Sequence, residues 1–257
     1  MTKTNYYNVS GIIRQALDYA VDAGYLDENV FRKVKVDKRM LRKTEKKPDN
    51  TQVFSEDEER QIIDLAWADF RNRTKVYELS PLAIIFQSQT GVRIGELCTL
   101  QFSDIDGEQI HVQRMLRRDM KEVVEHTKSE CGDRHILLTP LAKEVVEECR
   151  KRQKELGIIN PYIFSIRPGE PLPERPIADL YKKYCKKLGI VQKSSHKMRK
   201  TFVSALIDEG MNINSVMKMA GHADAQTTYR SYVYDRATDE KKKALMESAL
   251  CAGAVGK

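Results

Sequence analysis

The chain has 257 residues, with 44 Lys and Arg against 37 Asp and Glu, which gives a formal net charge of +7 and a pI near 9.0. Hydrophobic residues make up 41%, and no apolar run reaches the roughly 18 residues of a membrane-spanning helix, so we expect a soluble globular protein that does not cross a membrane. Five cysteines without a C-x-x-C pair argue against a disulfide framework or a cysteine zinc site and favour a reducing cytoplasm.

The first 50 residues predict one helix followed by a basic tether. Residues 9–23 place six apolar side chains on one helical face: Ile12, Ile13, Ala16, Leu17, Ala20 and Val21. Gly24 suits the left-handed position after the helix. Residues 32–50 carry many positive charges and little apolar periodicity. An exposed linker and a segment that contacts a polyanion explain this run equally well.

Two helices are predicted next by their end signals. Ser55 and Glu58 have the spacing of a capping box, and apolar residues follow at helical intervals. Pro81 suits the first turn of a second helix, which should end at Gly91. A short helix over residues 92–97 is expected directly after this glycine.

Residues 109–138 change character, because three short β-rich runs follow each other: QIHVQRML, EVVEHT and RHILLT. Charged or glycine-containing turns separate them, which predicts one small three-stranded antiparallel sheet. Helices are then expected over roughly 140–156, 176–188, 196–209, 213–220, 224–233 and 237–250. The sequence therefore predicts an α+β fold that is mainly helical.

Common catalytic motifs are absent from the sequence. It contains no G-x-x-x-x-G-K-[ST], G-x-G-x-x-G, H-E-x-x-H or G-x-S-x-G. Nucleotide binding, zinc-dependent hydrolysis and serine hydrolysis therefore have no support. Basic side chains at unusual places remain as the candidates for chemistry.

The first candidate is Arg93, which follows Gly91 at the start of a predicted helix. A helix N-terminus attracts phosphate through its free N–H groups, and an arginine adds a two-pronged donor that matches two phosphate oxygens. Glu96, three residues on, shares that helical face and can steer Arg93. Taken alone, this segment is better explained by an ordinary surface salt bridge between residues three apart.

Two further segments carry histidines. His196 and Arg199 share one face at a helix start, while Val203 and its apolar neighbours occupy another face. An amphipathic helix with a polar face is the ordinary explanation. His222 follows Gly221, and Tyr232 comes ten residues later. Taken singly, a histidine is more often structural, and a helical tyrosine more often belongs to the core.

The order of these segments is much more specific than any one of them. It resembles the tyrosine recombinase (phage integrase) family, whose signature is T-G-x-R-x-x-E-L, then H-x-x-R, L-G-H and T-T-x-x-x-Y. All four elements occur in this order over about residues 48–240. One departure is Ala220 in place of leucine before Gly-His, which changes packing and leaves the chemistry untouched.

The resemblance implies a role for each matching residue. Arg93 and Arg199 would be the catalytic arginines, His196 and His222 their partner histidines, and Tyr232 the nucleophile. Tyr229 and Tyr234 flank Tyr232 and leave that assignment open to them. The family also uses a lysine on a β-hairpin turn. Lys128 fits that position because Arg134 and an apolar strand follow it, and Lys121 is the fallback.

The resemblance further implies a DNA strand transferase that integrates and excises a mobile element through a 3′-phosphotyrosine intermediate, without metal or cofactor. Double-stranded DNA, a homo-tetramer on that DNA and an excisionase-like accessory protein would be its partners. Residues 1–47 would be a partial helical core-binding region with a basic linker. Residues 48–257 would be the catalytic domain, and the tail helix over 237–250 would pack onto a neighbouring protomer.

Other classes of protein remain as alternatives. A type IB topoisomerase uses similar chemistry to relax supercoils. A non-catalytic DNA-binding module would have no need for arginines, histidines and a tyrosine in this order. A metal-dependent nuclease would need clustered carboxylates, and the sequence has none near these motifs.

Overall fold

The computed structural model describes residues 1–42, 47–72, 79–117, 122–126, 130–221, 234, 236 and 239–251. The chain divides into two compact units, Met1–Lys47 and Pro48–Lys257. Lys121, Lys128, His222, Tyr229, Tyr232 and the predicted helix over 224–233 lie outside the described residues.

The first unit is built on helix α1, Lys3–Asp22, which ends before Gly24 at a positive φ of 73°. The predicted helix is confirmed. Its apolar face is not buried, since Ile12 is 68% exposed and Ser10 is the one buried residue of α1. The rest of the unit adds short 3-10 turns at Val30–Lys33 and Lys38–Met40, which bring few apolar side chains to cover a helix.

Part of the predicted basic tether is held against α1. Arg32 donates to both oxygens of Asp18 at 3.0 and 2.9 Å, and Asn29 donates to the same carboxylate at 2.7 Å. Lys33 pairs with Glu28 at 2.6 Å. The run is therefore less strongly positive than its lysines and arginines alone suggest.

The second unit is mainly helical and centres on helix α3, Ser80–Thr90. Almost every residue of α3 is buried, because helices pack on several sides of it; its first half after Ser80 is apolar, and its buried polar side chains in the second half are hydrogen-bonded. Helix α2, Glu56–Asn72, begins with the predicted capping box: Ser55 N–H donates to Glu58 Oε2 at 2.9 Å, and Glu58 N–H donates to Ser55 Oγ at 3.2 Å. Helix α4, Ile94–Thr99, follows α3 after a short turn.

Five short strands form two antiparallel sheets in the described residues. Strands β1, Ile105–Asp106, β2, Gln109–Val112, and β5, Arg134–Leu137, make a three-stranded sheet in the order β1-β2-β5. Strands β3, Met115–Arg117, and β4, Glu122–Val124, pair separately. The predicted three-stranded sheet is present, but the prediction that the middle run belongs to it is wrong.

The buried carboxylate of Asp104 explains why the strands divide in this way. Gln113 Nε2 donates to Asp104 Oδ1 at 2.9 Å, and Arg114 Nη1 donates to both oxygens at 2.8 Å. These contacts turn the chain away from the line of β2. Residues beyond Arg114 therefore form the separate β3–β4 pair. The two-residue strand β1 pairs with the edge of β2 that β3 would otherwise occupy.

The remaining helices lie close to their predicted bounds. They are α5, Pro140–Glu155, α6, Glu174–Leu188, α7, Ser195–Asp208, α8, Ile213–Ala220, and α9, Asp239–Cys251. The side chains of α9 that the structure describes are exposed, among them Met246 and Leu250. In the described ranges, no helix combines the length and apolar character that crossing a membrane requires.

Two clusters of buried side chains hold the second unit together. The larger one surrounds α3 and extends through the helices packed on it to β2 and β5. The smaller one joins α7 to α8 through Phe202, Val203, Val216 and Ala220. This second cluster fixes the two helices whose ends point toward the candidate active site.

Candidate active site

Arg93 is positioned by the glycine turn between α3 and α4. Gly91 ends α3 at a φ of +61°, and a Cβ atom there would overlap the ring of Phe202. Only glycine satisfies both requirements. The turn places Arg93 at the N-cap of α4, where its N–H donates to Glu96 Oε2 at 2.9 Å and its Nη1 donates to Oε1 at 2.8 Å. The predicted pairing of Glu96 with Arg93 is therefore present.

Glu96 also binds a second guanidinium group. The carboxylate is 2% exposed, and Arg134 donates to its two oxygens at 2.8 and 3.2 Å. Burial by itself would raise the pKa of Glu96, but the positive charges of Arg134, Arg93 and Arg199 outweigh burial and lower it to about 2. Glu96 therefore stays ionised and orients both arginines. Three guanidinium groups around one carboxylate leave an excess of positive charge.

Arg134 ties the sheet to the end of α8. Besides Glu96, it donates to the carbonyl oxygens of Met219 at 2.7 Å and Gly132 at 2.8 Å. Gly221 follows α8 at a φ of +64°, and a Cβ atom there would lie 2.8 Å from the carbonyl oxygen of Cys131. From the sequence, Arg134 was used only as part of the motif that follows the hairpin lysine, and its binding to Glu96 and the end of α8 was not predicted. The feature that could have indicated this contact is a charged residue at the start of an otherwise apolar strand.

The two predicted catalytic arginines meet at the turn that follows α8. Arg199, on α7, is 1% exposed and donates to the carbonyl oxygens of Gly91, at 2.7 Å, and Ala220. Arg93 donates to the carbonyl oxygen of Gly221 at 3.0 Å, and its side chain is 32% exposed. Arg93 thus presents donors toward solvent, whereas Arg199 is held inside.

His196 lies one turn before Arg199 on α7. The residue is exposed, but loss of water around its ring, followed by the charges of Lys200, Arg199, Lys197 and Arg93, lowers its pKa to about 4. His196 is therefore neutral near pH 7, with one ring nitrogen that donates and one that accepts. A cleft of about 1000 Å³ opens beside His196, and Ile94, Leu116 and Pro173 also line it.

Two residues of the segment after Tyr232 are fixed on the second unit. Lys200 Nζ lies 2.8 Å from the hydroxyl oxygen of Tyr234 and 4.8 Å from its ring centre. Arg236 donates to the carbonyl oxygen of Phe54 at 3.0 Å and pairs with Glu59. Tyr234 and Arg236 are both buried. We call these two residues the C-terminal anchor.

The described residues therefore bring together Arg93, Glu96, His196 and Arg199, which are far apart in the sequence. Lys128, His222 and Tyr232, and the fallback Lys121, fall outside the described ranges. Within the part of the chain that the structure describes, no group of three or more His, Cys, Asp or Glu side chains is placed to hold a metal ion.

A family profile decides the relationship of the chain to known proteins. The phage integrase family matches residues 52–239, which is more than half of the chain. The chain belongs to the phage integrase family. The expected family and the mainly helical fold with a small antiparallel sheet are thereby confirmed.

This integrase-family chain is similar to several characterised relatives. A XerC-like tyrosine recombinase of Caldanaerobacter subterraneus subsp. tengcongensis is 24% identical over 250 residues, which are 88% of this chain and 61% of that protein. Transposase A from transposon Tn554 of Staphylococcus aureus is 29% identical over 232 residues, covering 87% of this chain and 56% of the transposase. The chain thus spans little more than half the length of these relatives.

Solved structures show the same fold. The Tn1549 transposon integrase in complex with transposon right end DNA superposes with a TM-score of 0.69 and 22% identity, covering 96% of this integrase-family chain and 80% of that chain. A lambda integrase dimer bound to a COC′ core site superposes with a TM-score of 0.59 and 17% identity, covering 90% of this chain and 73% of that chain.

Proposed function

We propose that the chain is a site-specific DNA recombinase that cleaves and rejoins DNA strands during integration and excision of a mobile element. The observation that carries the proposal is the convergence of Arg93 and Arg199 on the turn at residues 220–221, beside His196. The match to the phage integrase family and the integrase–DNA structures support it. Residues 1–47 then act as a partial core-binding region, and residues 48–257 as the catalytic domain.

The two arginines supply what a phosphodiester requires. Negative charge builds on the non-bridging oxygens as a nucleophile attacks, and guanidinium donors that are already oriented stabilise it. Glu96 fixes the direction of Arg93 without cancelling the positive charge of the three arginines around it. Arg199 reaches a phosphate once its bond to a main-chain carbonyl is exchanged for a phosphate oxygen.

The remaining site residues have roles in the covalent step. Tyr232 attacks phosphorus, so that a bond forms from its phenolic oxygen and the bond to the 5′-oxygen breaks. The phenol has an ordinary pKa of about 10, and its proton passes to a base, for which neutral His196 is available. Lys128 gives a proton to the leaving 5′-oxygen, and His222 binds the phosphate. A 5′-hydroxyl from another strand reverses these steps, so neither metal nor ATP takes part.

The partners follow from this chemistry. Double-stranded DNA is the substrate, and exchange of strands between two duplexes calls for a homo-tetramer. The exposed side chains of α9, including Met246 and Leu250, are suited to packing on a neighbouring protomer. An excisionase-like accessory protein would set the direction of the reaction.

The proposal is tested by capturing covalent protein–DNA adducts. Nicked duplexes of varied sequence, incubated with the full chain and then denatured, should yield a tyrosine-linked adduct whose DNA identifies the target site. Tyr232→Phe should lose the adduct and keep DNA affinity close to that of the wild type, because the hydroxyl takes part only in the chemistry.

The alternatives give different outcomes in the same assay. A topoisomerase would form adducts without preference for sequence and would relax any supercoiled plasmid. A non-catalytic binding module would form no adduct, and that result would contradict the proposed function.

A further inference from the structure

The side chain of Gln87 forms the centre of a buried hydrogen-bond network. It lies on α3 and is fully buried. Its Nε2 donates to the carbonyl oxygen of Val92 at 2.8 Å and to Ser195 Oγ at 2.6 Å, and its Oε1 accepts from the hydroxyl of Tyr181 at 2.9 Å. One amide thus joins α3, the turn before α4, the start of α7 and the buried face of α6.

The orientation of this amide is determined by its partners. The Val92 carbonyl can only accept, so the nitrogen of Gln87 must face it. The Tyr181 hydroxyl can then donate to the amide oxygen. A flipped amide would set the oxygen atoms of Gln87 and Val92 against each other in a fully buried site, where an unsatisfied polar group is strongly unfavourable. The Val92 carbonyl therefore sets the orientation of Gln87, and Tyr181 satisfies the amide oxygen in that orientation.

The two segments that Gln87 joins carry the candidate site residues. Val92 immediately precedes Arg93, and Ser195 immediately precedes His196. The Gln87 amide nitrogen contacts both segments at once. Gln87 thus links the N-cap of α4 to the first turn of α7 directly beside Arg93 and His196, and the Arg199 bond to the Gly91 carbonyl holds the same turn from further along α7.

We propose that Gln87 is a positioning residue for strand cleavage, which helps to set the spacing between Arg93 and His196, with Tyr181 satisfying its amide oxygen. This inference rests on the proposed function. Gln87 itself touches no reacting atom, since its amide is buried and fully engaged. It acts through the main chain beside the two residues that would face the phosphate.

The Gln87→Met variant removes all three hydrogen bonds and keeps an unbranched side chain of similar length. We expect the single-turnover rate of adduct formation on the captured DNA site to fall by about 10- to 100-fold, since small displacements of reacting groups produce losses of this size. DNA affinity should change little, because most of it comes from phosphate contacts elsewhere. Tyr181→Phe removes only the hydroxyl that donates to the Gln87 amide oxygen and should give a smaller loss.

Gln153 offers a matched control. It is also a buried glutamine, and its Nε2 donates to the carbonyl oxygens of Tyr162 at 2.8 Å and Ser165 at 2.9 Å, away from the site. Gln153→Met should lower the melting temperature to a similar degree and leave the cleavage rate unchanged well below that temperature. A cleavage loss equal to that of Gln87→Met would mean that the effect is general destabilisation.

The Gln87→Glu variant provides a second readout, taken only at temperatures where circular dichroism shows it fully folded at every pH tested, because its stability also changes with pH. An ionised carboxylate cannot donate to the Val92 carbonyl, whereas a protonated one can, and burial raises the pKa of such a group. The cleavage rate of this variant relative to the wild type should therefore recover as the pH falls. A ratio that does not change with pH would overturn the inference, even if Gln87→Met failed to fold.

The outcomes separate this inference from the proposed function. If the wild type forms no covalent adduct, the proposed function fails. If the wild type forms the adduct and Gln87→Met cleaves as fast as Gln153→Met, the function stands and the positioning role of Gln87 is wrong. A selective loss in Gln87→Met, with DNA affinity retained and a pH-dependent recovery in Gln87→Glu, supports it.

Discussion

Glu96 is a buried charge that serves two arginines at once. Its carboxylate is enclosed, yet Arg93 and Arg134 together provide enough positive charge to keep it ionised with a pKa of about 2. Replacing one member of such a cluster leaves its partners buried without compensation. The ion cluster therefore contributes to folding as well as to the direction in which Arg93 points.

Replacing Glu96 with glutamine should destabilise the fold by about 3 kcal/mol near neutral pH, because a pKa lowered from 4.5 to about 2 corresponds to a free energy of that order. The pKa is depressed in the folded state. The contribution is therefore complete above about pH 4.5 and disappears as the pH falls through about 2. Chemical denaturation of wild type and Glu96→Gln across this range measures the difference.

Glu108→Gln is the control for this substitution. Glu108 pairs with Lys143 at the surface, where its side chain is 75% exposed, so the change should be within about 0.5 kcal/mol. A Glu96→Gln variant that is no less stable than Glu108→Gln at pH 7 would contradict the importance of the buried cluster.

His196 is prepared for a bound anion by its surroundings. Loss of water around the ring lowers its pKa most, and the charges of Lys200, Arg199, Lys197 and Arg93 lower it further before any phosphate arrives. A phosphate in the cluster would offset those charges and raise this pKa. The ring thus becomes a better proton acceptor only when substrate is present.

At the scale of elements, the C-terminal anchor connects residues 234 and 236 to the start of the second unit and to α7. Arg236 binds the Phe54 carbonyl and Glu59, just before and within α2, while Tyr234 binds Lys200 on α7. Burial raises the pKa of Glu59, and Arg236 opposes that rise. The anchor thus holds the chain two and four residues beyond Tyr232.

Loss of the anchor should impair cleavage more than DNA binding. Arg236→Met removes the contacts to Phe54 and Glu59 and leaves Glu59 buried without its partner, which lowers stability as well. Combining Arg236→Met with Glu59→Gln removes that second effect. We expect the double variant to regain melting temperature and still form adducts at least tenfold more slowly, on the order of a misplaced reacting group.

Adduct formation and melting temperature, measured on the same preparations, test this prediction. If the double variant forms adducts as fast as the wild type, the anchor supports only the stability of the fold.

Local signals in the sequence were sufficient for most helices. Ser55 with Glu58, and the glycines at 91 and 221, determine helix ends through contacts within a few residues. The division of the strands between two sheets could not be predicted in this way, because it involves Asp104, which binds Arg114 ten residues away. The contacts of Arg134 and Gln87 span 38 and 108 residues, and no spacing rule reveals them.

At the scale of the whole molecule, the positive charge predicts how DNA binding responds to salt. Neutralised phosphates release counterions, so affinity falls steeply as salt rises. We expect the dissociation constant for a DNA duplex to increase by about a thousandfold or more between 50 and 200 mM salt, if six or more phosphates are contacted. Titrations at several salt concentrations give the slope of log affinity against log salt concentration, which we call the salt slope.

The basic run provides an internal comparison for the salt slope. Arg32 and Lys33 already pair with Asp18 and Glu28, so Arg32→Gln should change the slope less than Lys35→Gln. Each phosphate contact that is lost should lower the slope by about 1. An affinity that stays constant across salt concentrations would contradict a binding mode based on phosphates.

The arginines of the candidate site are held largely by the main chain. Arg199 and Arg93 bind the carbonyl oxygens of Gly91, Ala220 and Gly221, and every amino acid offers such an oxygen. Alanine in place of the family's leucine at position 220 therefore alters only the packing of α7 on α8. Residues that contribute only a main-chain carbonyl can be substituted as long as the backbone conformation is retained. A search by residue identity alone will therefore overlook family members that keep the same geometry.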